Sequence, residues 1–265
     1  ILDGLYKKKV VPLRGEVSYD EKAKLTYLET MALEVSTLWK GDFRSPSIIA
    51  QYSINGHNNL STLDFVYESH SIKRGKDDNY QSLPLSYGSE EEVTTLVLNL
   101  KDRELPIGLK LYYSVFKDCD VIARRTEIIN NIGAKITIQN IASMQLDLPD
   151  SNWDVVTFDG AWGRERNVTK RHLENGAIVI DSKNGTSSSY HSSCVYLQRP
   201  NCSPLFGEVF AFNLIYSGNH REVIEKSPYG TTRYLTGINP ETFSWALKEG
   251  ETFSTPEAIM TYSFV

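Results

Sequence analysis

The feature that most constrains this chain is the run Ile107, Leu109, Leu111, Tyr113, Val115, in which every second residue is apolar. A period of two belongs to a β-strand with one buried face; a helix needs apolar residues at spacings of three and four. The same alternation fills Thr94 to Leu100 and resumes from Val121 to Ile129 after a turn at Asp118-Cys119-Asp120. Past a second turn at Asn130-Asn131-Ile132-Gly133 it continues through Ile136, Ile138, Asn140, Ala142, Met144, Leu146 and Leu148, predicting one buried face along the whole stretch. Upstream, Ile48 to Ser53 is strand-like, Asn55-Gly56 is a hairpin signal, and Leu63 to Tyr67 is predicted to be the return strand. Five more strands are predicted at 178–181, 208–216, 231–235, 243–247 and 258–263, parted by turns such as Asn184-Gly185 and Ser217-Gly218-Asn219. One helical pattern occurs, between Asp20 and Val35, where Leu25, Leu28, Ala32 and Val35 recur at three and four. More than ten short strands with at most one or two short helices predict an all-β fold, a large antiparallel two-sheet sandwich. Without repeats, low-complexity tracts or a linker, residues 1–265 read as a single domain.

Charge and motif content narrow the function. The net charge of −5 comes with no arginine-rich or lysine-rich block, which argues against nucleic acid or an anionic membrane as partner. No run of about 18 apolar residues is present to span a bilayer as a helix. Three cysteines, Cys119, Cys194 and Cys202, make neither a disulfide framework nor a zinc site, and a reducing compartment, the cytoplasm, is expected. His57, His70, His172, His191 and His220 show no metal-ligand spacing, so no metal or other cofactor is expected. His191 and His220 are predicted to sit exposed in polar turns. No nucleophile elbow, phosphate loop, dinucleotide fingerprint or singled-out carboxylate pair is found, so no catalytic residue is assigned.

Two stretches do carry binding chemistry. In Phe158-Asp159-Gly160-Ala161-Trp162-Gly163-Arg164-Glu165-Arg166 a large aromatic lies between two glycines. The glycines permit a turn or close backbone approach, leaving Trp162 as a flat plate. Arg164 and Arg166, two apart on an extended segment, would share one face with Glu165 on the other. A plate beside two guanidinium forks suits a polyhydroxylated or anionic ligand. The competing reading is a buried tryptophan at a strand end with Arg–Glu pairs on the surface. In Trp39-Lys40-Gly41-Asp42-Phe43-Arg44-Ser45-Pro46, Asp42 and Arg44 form either a polar clamp for a ligand or a turn in which Asp42 binds neighbouring backbone amides.

Beyond these local readings, an ordered set of runs resembles the amino-terminal domain of the α-galactosidases of glycoside hydrolase family 36. It comprises 158–166, Gly207 to Asn219, Gly237-Ile238-Asn239-Pro240, Phe243-Ser244-Trp245 and Thr255-Pro256-Glu257-Ala258, with Asp42-Phe43-Arg44-Ser45-Pro46 upstream. The resemblance covers about Leu13 to Ser263. It implies a β-supersandwich similar to that of galactose mutarotase, and an enzyme that hydrolyses terminal α-linked galactose from raffinose- and melibiose-type oligosaccharides with retention. It also implies that the catalytic aspartates lie in a barrel domain following this chain. The chain opens on Ile1 without methionine and is expected to be clipped at both ends, from a bacterial cytoplasmic enzyme. The resemblance further implies a homo-oligomer, tetrameric in the longer protein, in which loops of this domain help close a neighbour's substrate pocket. Trp162, Arg164, Arg166, Asp42 and Arg44 are the positions expected at or behind that rim. Two departures stand out: Lys183-Asn184-Gly185 replaces an Arg-Arg-Gly turn, displacing the following histidine to His191, and an acidic residue found in some members near Leu13-Arg14-Gly15 is missing. A stand-alone carbohydrate-binding or epimerase-like sandwich is the other class to consider.

Overall fold

A computed structural model describes residues 28–76 and 83–264. Its strands are β1 (Ile48–Ile54), β2 (His57–Leu60), β3 (Phe65–Arg74), β4 (Val93–Asp102), β5 (Ile107–Phe116), β6 (Val121–Asn130), β7 (Ile136–Leu148) and β8 (Asp154–Ala161). They continue with β9 (Arg164–His172), β10 (Gly176–Asp181), β11 (His191–Gln198), β12 (Glu208–Ile215), β13 (His220–Lys226), β14 (Thr232–Ile238), β15 (Trp245–Leu247), β16 (Thr252–Ser254) and β17 (Glu257–Phe264). Two antiparallel sheets face each other. One runs β10-β13-β14-β7-β1-β2 with β15 beside β7, and the other runs β3-β4-β5-β6-β17-β12-β11-β8-β9 with β16 beside β6. The predicted all-β, two-sheet sandwich is what the chain forms.

Alternation makes the core. Ile107, Leu109 and Leu111 of β5 pack with Ile128 of β6 and with Ile48 and Ala50 of β1 in one apolar cluster. A second cluster gathers Val155, Val195, Leu197, Phe212, Leu214 and Tyr234, with Phe212 and Tyr234 stacked at 3.9 Å between ring centroids. Each fully buried Leu, Ile or Val contributes about 1.5–3 kcal/mol through removal of apolar surface from water. β7 serves both clusters, Ile136, Ile138 and Ile141 in the first and Met144 and Leu148 in the second.

That strand corrects the simple pattern. Ile49 pairs with Asn140 but Ala50 with Ile138, and Thr236 pairs with Met144 but Gly237 with Ala142, so β7 carries an extra residue at two bulges. Each bulge flips the alternation. Ile141 therefore enters the first core cluster, whereas Ala142 joins a separate patch with Val223 and Leu235.

Other expectations shift for local reasons. Asn55 and Gly56 do form a turn at φ 52° and 78°, but the return strand is β2, and the predicted 63–67 segment instead leads into β3 of the other sheet. The part of the predicted helix before Leu28 lies outside the described residues. Within them, only a 3-10 turn forms at Leu28–Thr30. The carbonyls of Leu28 and Met31 accept from the Arg44 guanidinium and the Leu33 amide donates to Asp147, diverting groups that a helix would pair internally.

Candidate functional site

The 158–166 stretch is a hairpin tip. β8 and β9 pair from Asp154–His172 to Ala161–Arg164, leaving Trp162 and Gly163 as a two-residue loop. Gly163 takes φ 77°, the left-handed region that glycine enters without a Cβ penalty. Gly160 is required for a different reason, because a Cβ there would lie 2.8 Å from the Glu165 Cα and closer still to the Arg164 carbonyl oxygen. The close approach arises because Asp159 pairs with Asn167 and Ala161 with Arg164, so Gly160 alone opposes Glu165 and Arg166.

On this scaffold Trp162 is 93% exposed, which rules out the buried-tryptophan reading. Glu165 braces the loop by accepting from the Gly163 amide at 2.8 Å, and the Asn167 side chain donates to the Arg164 carbonyl at 2.8 Å. Arg164 and Arg166 are both exposed. Arg166 adopts φ 59°, however, at the bulge opposite Gly160, so the regular two-residue alternation on which the shared face was expected is interrupted at Arg166.

Asp42 and Arg44 sit elsewhere and inside. Their side chains are 2% and 1% exposed, in a network with Asp147 and Arg233. Arg44 Nε donates to Asp42 Oδ1 at 2.9 Å, Arg233 Nη2 donates to Asp42 Oδ2 at 2.7 Å and to Asp147 Oδ2 at 2.7 Å, and the Arg44 amide also binds Asp42 Oδ1. Burial would raise the Asp42 pKa, but Arg44 and Arg233 together hold it below the ordinary value of 3.8. This is the backbone-binding turn of the second reading, reinforced by two arginines. The same loop turns Trp39 and Phe43 outward, 74% and 82% exposed, with Trp39 at φ 67° and its indole N–H donating to Ser61 Oγ at 2.9 Å. Sequence reasoning assigned neither a role. Among the described residues no hydrogen bond or ion pair joins this loop to the hairpin.

At the hairpin's base a cleft of about 350 Å³ opens between β8 and the 181–191 segment. His191 begins β11 and its Nδ1 lies 2.8 Å from Asp159 Oδ1, while Thr157 Oγ1 donates to Asp159 Oδ2 at 2.7 Å. Burial would raise the Asp159 pKa; the bonds from His191 and Thr157 keep it below 3.8. The polar-turn expectation for the two histidines is thus corrected. His220 lies in β13, fully buried, with Nδ1 2.8 Å from Glu222 Oε2, and Thr236 also donates to Glu222 at 3.1 Å. A histidine and a glutamate therefore do meet, the pairing an epimerase needs, but both side chains have 0% exposure and no sugar reaches them. Among the described residues no group of His, Cys, Asp and Glu is arranged to hold a metal.

Comparison with known proteins follows the same lines. The family model "Glycosyl hydrolase family 36 N-terminal domain" matches residues 7–248. Alpha-galactosidase C of Emericella nidulans is 36% identical over 224 residues, covering 84% of this chain and 29% of the relative. Alpha-galactosidase AgaA of Geobacillus stearothermophilus is 34% identical, covering 89% of this chain and 32% of its own. A crystal structure of an AgaA variant with raffinose superposes with a TM-score of 0.89 at 32% identity, over 96% of this chain and 35% of that one. The α-galactosidase from Lactobacillus brevis gives 0.89 at 35% identity, over 96% and 34%. The chain spans about a third of the length of these relatives. Motifs, sandwich and similarity agree: this chain belongs to the N-terminal domains of glycosyl hydrolase family 36.

Proposed function

We propose that this chain is the non-catalytic amino-terminal domain of an α-galactosidase that removes terminal α-linked galactose from raffinose- and melibiose-type oligosaccharides with retention. Its work is to help assemble a homo-oligomer, a tetramer for the longer protein, and to complete a neighbour's substrate pocket. The observation that carries this reading is the 93% exposure of Trp162 on a hairpin whose backbone is fixed by a two-residue turn, a bulge and the Glu165 and Asn167 bonds. A ring held that way presents its face to a sugar's C–H surface at little entropic cost. Arg164 and Arg166 flank it with charged donors suited to hydroxyl oxygens. Asp42 and Arg44 act from behind the rim, fixing the loop that carries Phe43.

Support for the substrate class comes from the relatives, solved with raffinose and with stachyose. The catalytic carboxylates belong to the part of the longer protein beyond this chain. A bacterial cytoplasm is the proposed location, in keeping with three unpaired cysteines. The test is hydrolysis of an aryl α-galactoside by the longer protein and by this chain, with the mass of each assembly measured alongside. Turnover by the oligomeric longer protein alone is the expected result; turnover by this chain, or full activity in a monomer, refutes the division of labour.

A further inference from the structure

Below the hairpin, the cleft over Asp159 and His191 has a composition of its own. Its walls come from three elements: Asp159 and Gly160 of β8, Asp181 at the end of β10, and the loop from Lys183 through Tyr190 to His191. Two backbone links hold the halves together, the Gly160 amide donating to the Tyr190 carbonyl at 2.9 Å and the pairing of His191 with Asp159. The walls are therefore preformed, and a ligand loses little by ordering them.

The charges inside are engaged with one another and lean negative, Asp159 and Asp181 against Lys183. Asp159 is spent on His191 and Thr157, and Lys183 lies 3.3 Å from Asp181 Oδ2 and 2.7 Å from Glu241 Oε2. An anion entering would meet Asp159 and Asp181, and the absence of a metal-binding group among the described residues leaves a bare cation without a cage. What remains available suits neutral hydroxyls. The His191 ring, 44% exposed, is anchored through Nδ1 and has Nε2 to offer; Asp181 keeps acceptor capacity; Ser188 and Lys183 add donors. Tyr190, 55% exposed on the wall, supplies a ring against which C–H groups can lie. Fixed polar groups around an aromatic face, in a volume of about 350 Å³, are the ordinary make-up of a small-ligand site.

We propose that this cleft binds a neutral saccharide unit, as a site on the domain itself that is separate from the Trp162 plate. Trp162 does not line it, so the two can be tested apart. A shallow, open site with few hydrogen bonds is expected to bind with a dissociation constant on the order of millimolar. The experiment titrates raffinose into the full 265-residue chain carrying ¹⁵N-labelled histidine, following the His191 ring resonances, with inorganic phosphate as the charged control. Saturable movement of the His191 signals by raffinose and none by phosphate is expected. Tyr190→Ala and, separately, Lys183→Met should weaken binding roughly tenfold or more, with near-UV circular dichroism confirming the fold. Trp162→Ala should leave the curve unchanged, whatever it does to hydrolysis by the longer protein. The proposal is overturned by a wild-type His191 signal that fails to move up to about 50 mM raffinose. It is equally overturned if phosphate saturates the cleft, or if Trp162→Ala abolishes binding that Tyr190→Ala preserves.

Discussion

The loop at 39–46 and the hairpin tip at 158–166 are built from the same kinds of residue, yet the fold uses them in opposite ways. In the loop the ionic residues go inward: Asp42 and Arg44 are almost wholly buried against Asp147 and Arg233, while Trp39 and Phe43 face solvent. In the hairpin tip only Asp159, at its base, is partly buried against His191, while Arg164, Glu165 and Arg166 are all exposed beside Trp162. The difference lies in distant partners. Asp42 finds Arg233 191 residues away and both meet Asp147, whereas Arg164 and Arg166 form no salt bridge among the described residues. A cluster of Asp, Arg, Gly and aromatic residues thus identifies a built loop, and only the presence of opposite charges on a facing sheet decides whether it braces or displays.

The comparison breaks most visibly at Arg233. Arg233→Ala leaves Asp42 and Asp147 buried with half their compensation gone, and a loss of about 3–5 kcal/mol is expected in urea unfolding, enough to unfold a marginal domain. Gly160→Ala comes next, since its Cβ would press on backbone and not on a movable side chain; about 2 kcal/mol is expected from the same measurement. Gly163→Ala has open space around it and φ 77°, so only the left-handed strain of about 1 kcal/mol applies.

Acid sharpens the contrast further. Asp42 and Asp159 both have folded pKa values below their unfolded ones, so the stability they contribute is complete above the unfolded value near 3.8 and is lost as pH falls through the folded values. Unfolding followed by circular dichroism should therefore steepen below about pH 4. Because the Asp42 side chain is 2% exposed and that of Asp159 is 25%, Asp42→Asn should flatten that acid limb more than Asp159→Asn. Smallest of all, Arg164→Ala should change stability by no more than about 0.5 kcal/mol.

Much of the fold was legible because period-two alternation survives in part, at Ile107, Leu109 and Leu111 of β5 and at Ile128 and Asn130 of β6; in β4 it is Val93, Thr95 and Val97 that are buried while Leu96, Leu98 and Leu100 are half-buried, and Val115 at the far end of the β5 run is exposed. It failed where the pattern carries no such contrast. β9 is exposed along nearly its whole length, and β13 buries His220 and Glu222, residues that read as surface. The bulges of β7 are equally silent, because an inserted residue has no chemical mark. At the candidate site, the flanking glycines made the display of Trp162 readable. The inward turn of Asp42 and Arg44 was not, since it depends on Asp147 and Arg233 arriving from β7 and β14.

The central claim is that the hairpin displays Trp162 for recognition while the buried network only supports the fold. Its most direct test is Trp162→Ala in the longer protein, read as aryl α-galactoside hydrolysis together with unfolding midpoint and oligomer mass. The account predicts a stability change within about 0.5 kcal/mol, an intact assembly, and a marked loss of turnover or substrate affinity. Unchanged activity, or a loss that merely follows dissociation of the oligomer, would contradict it.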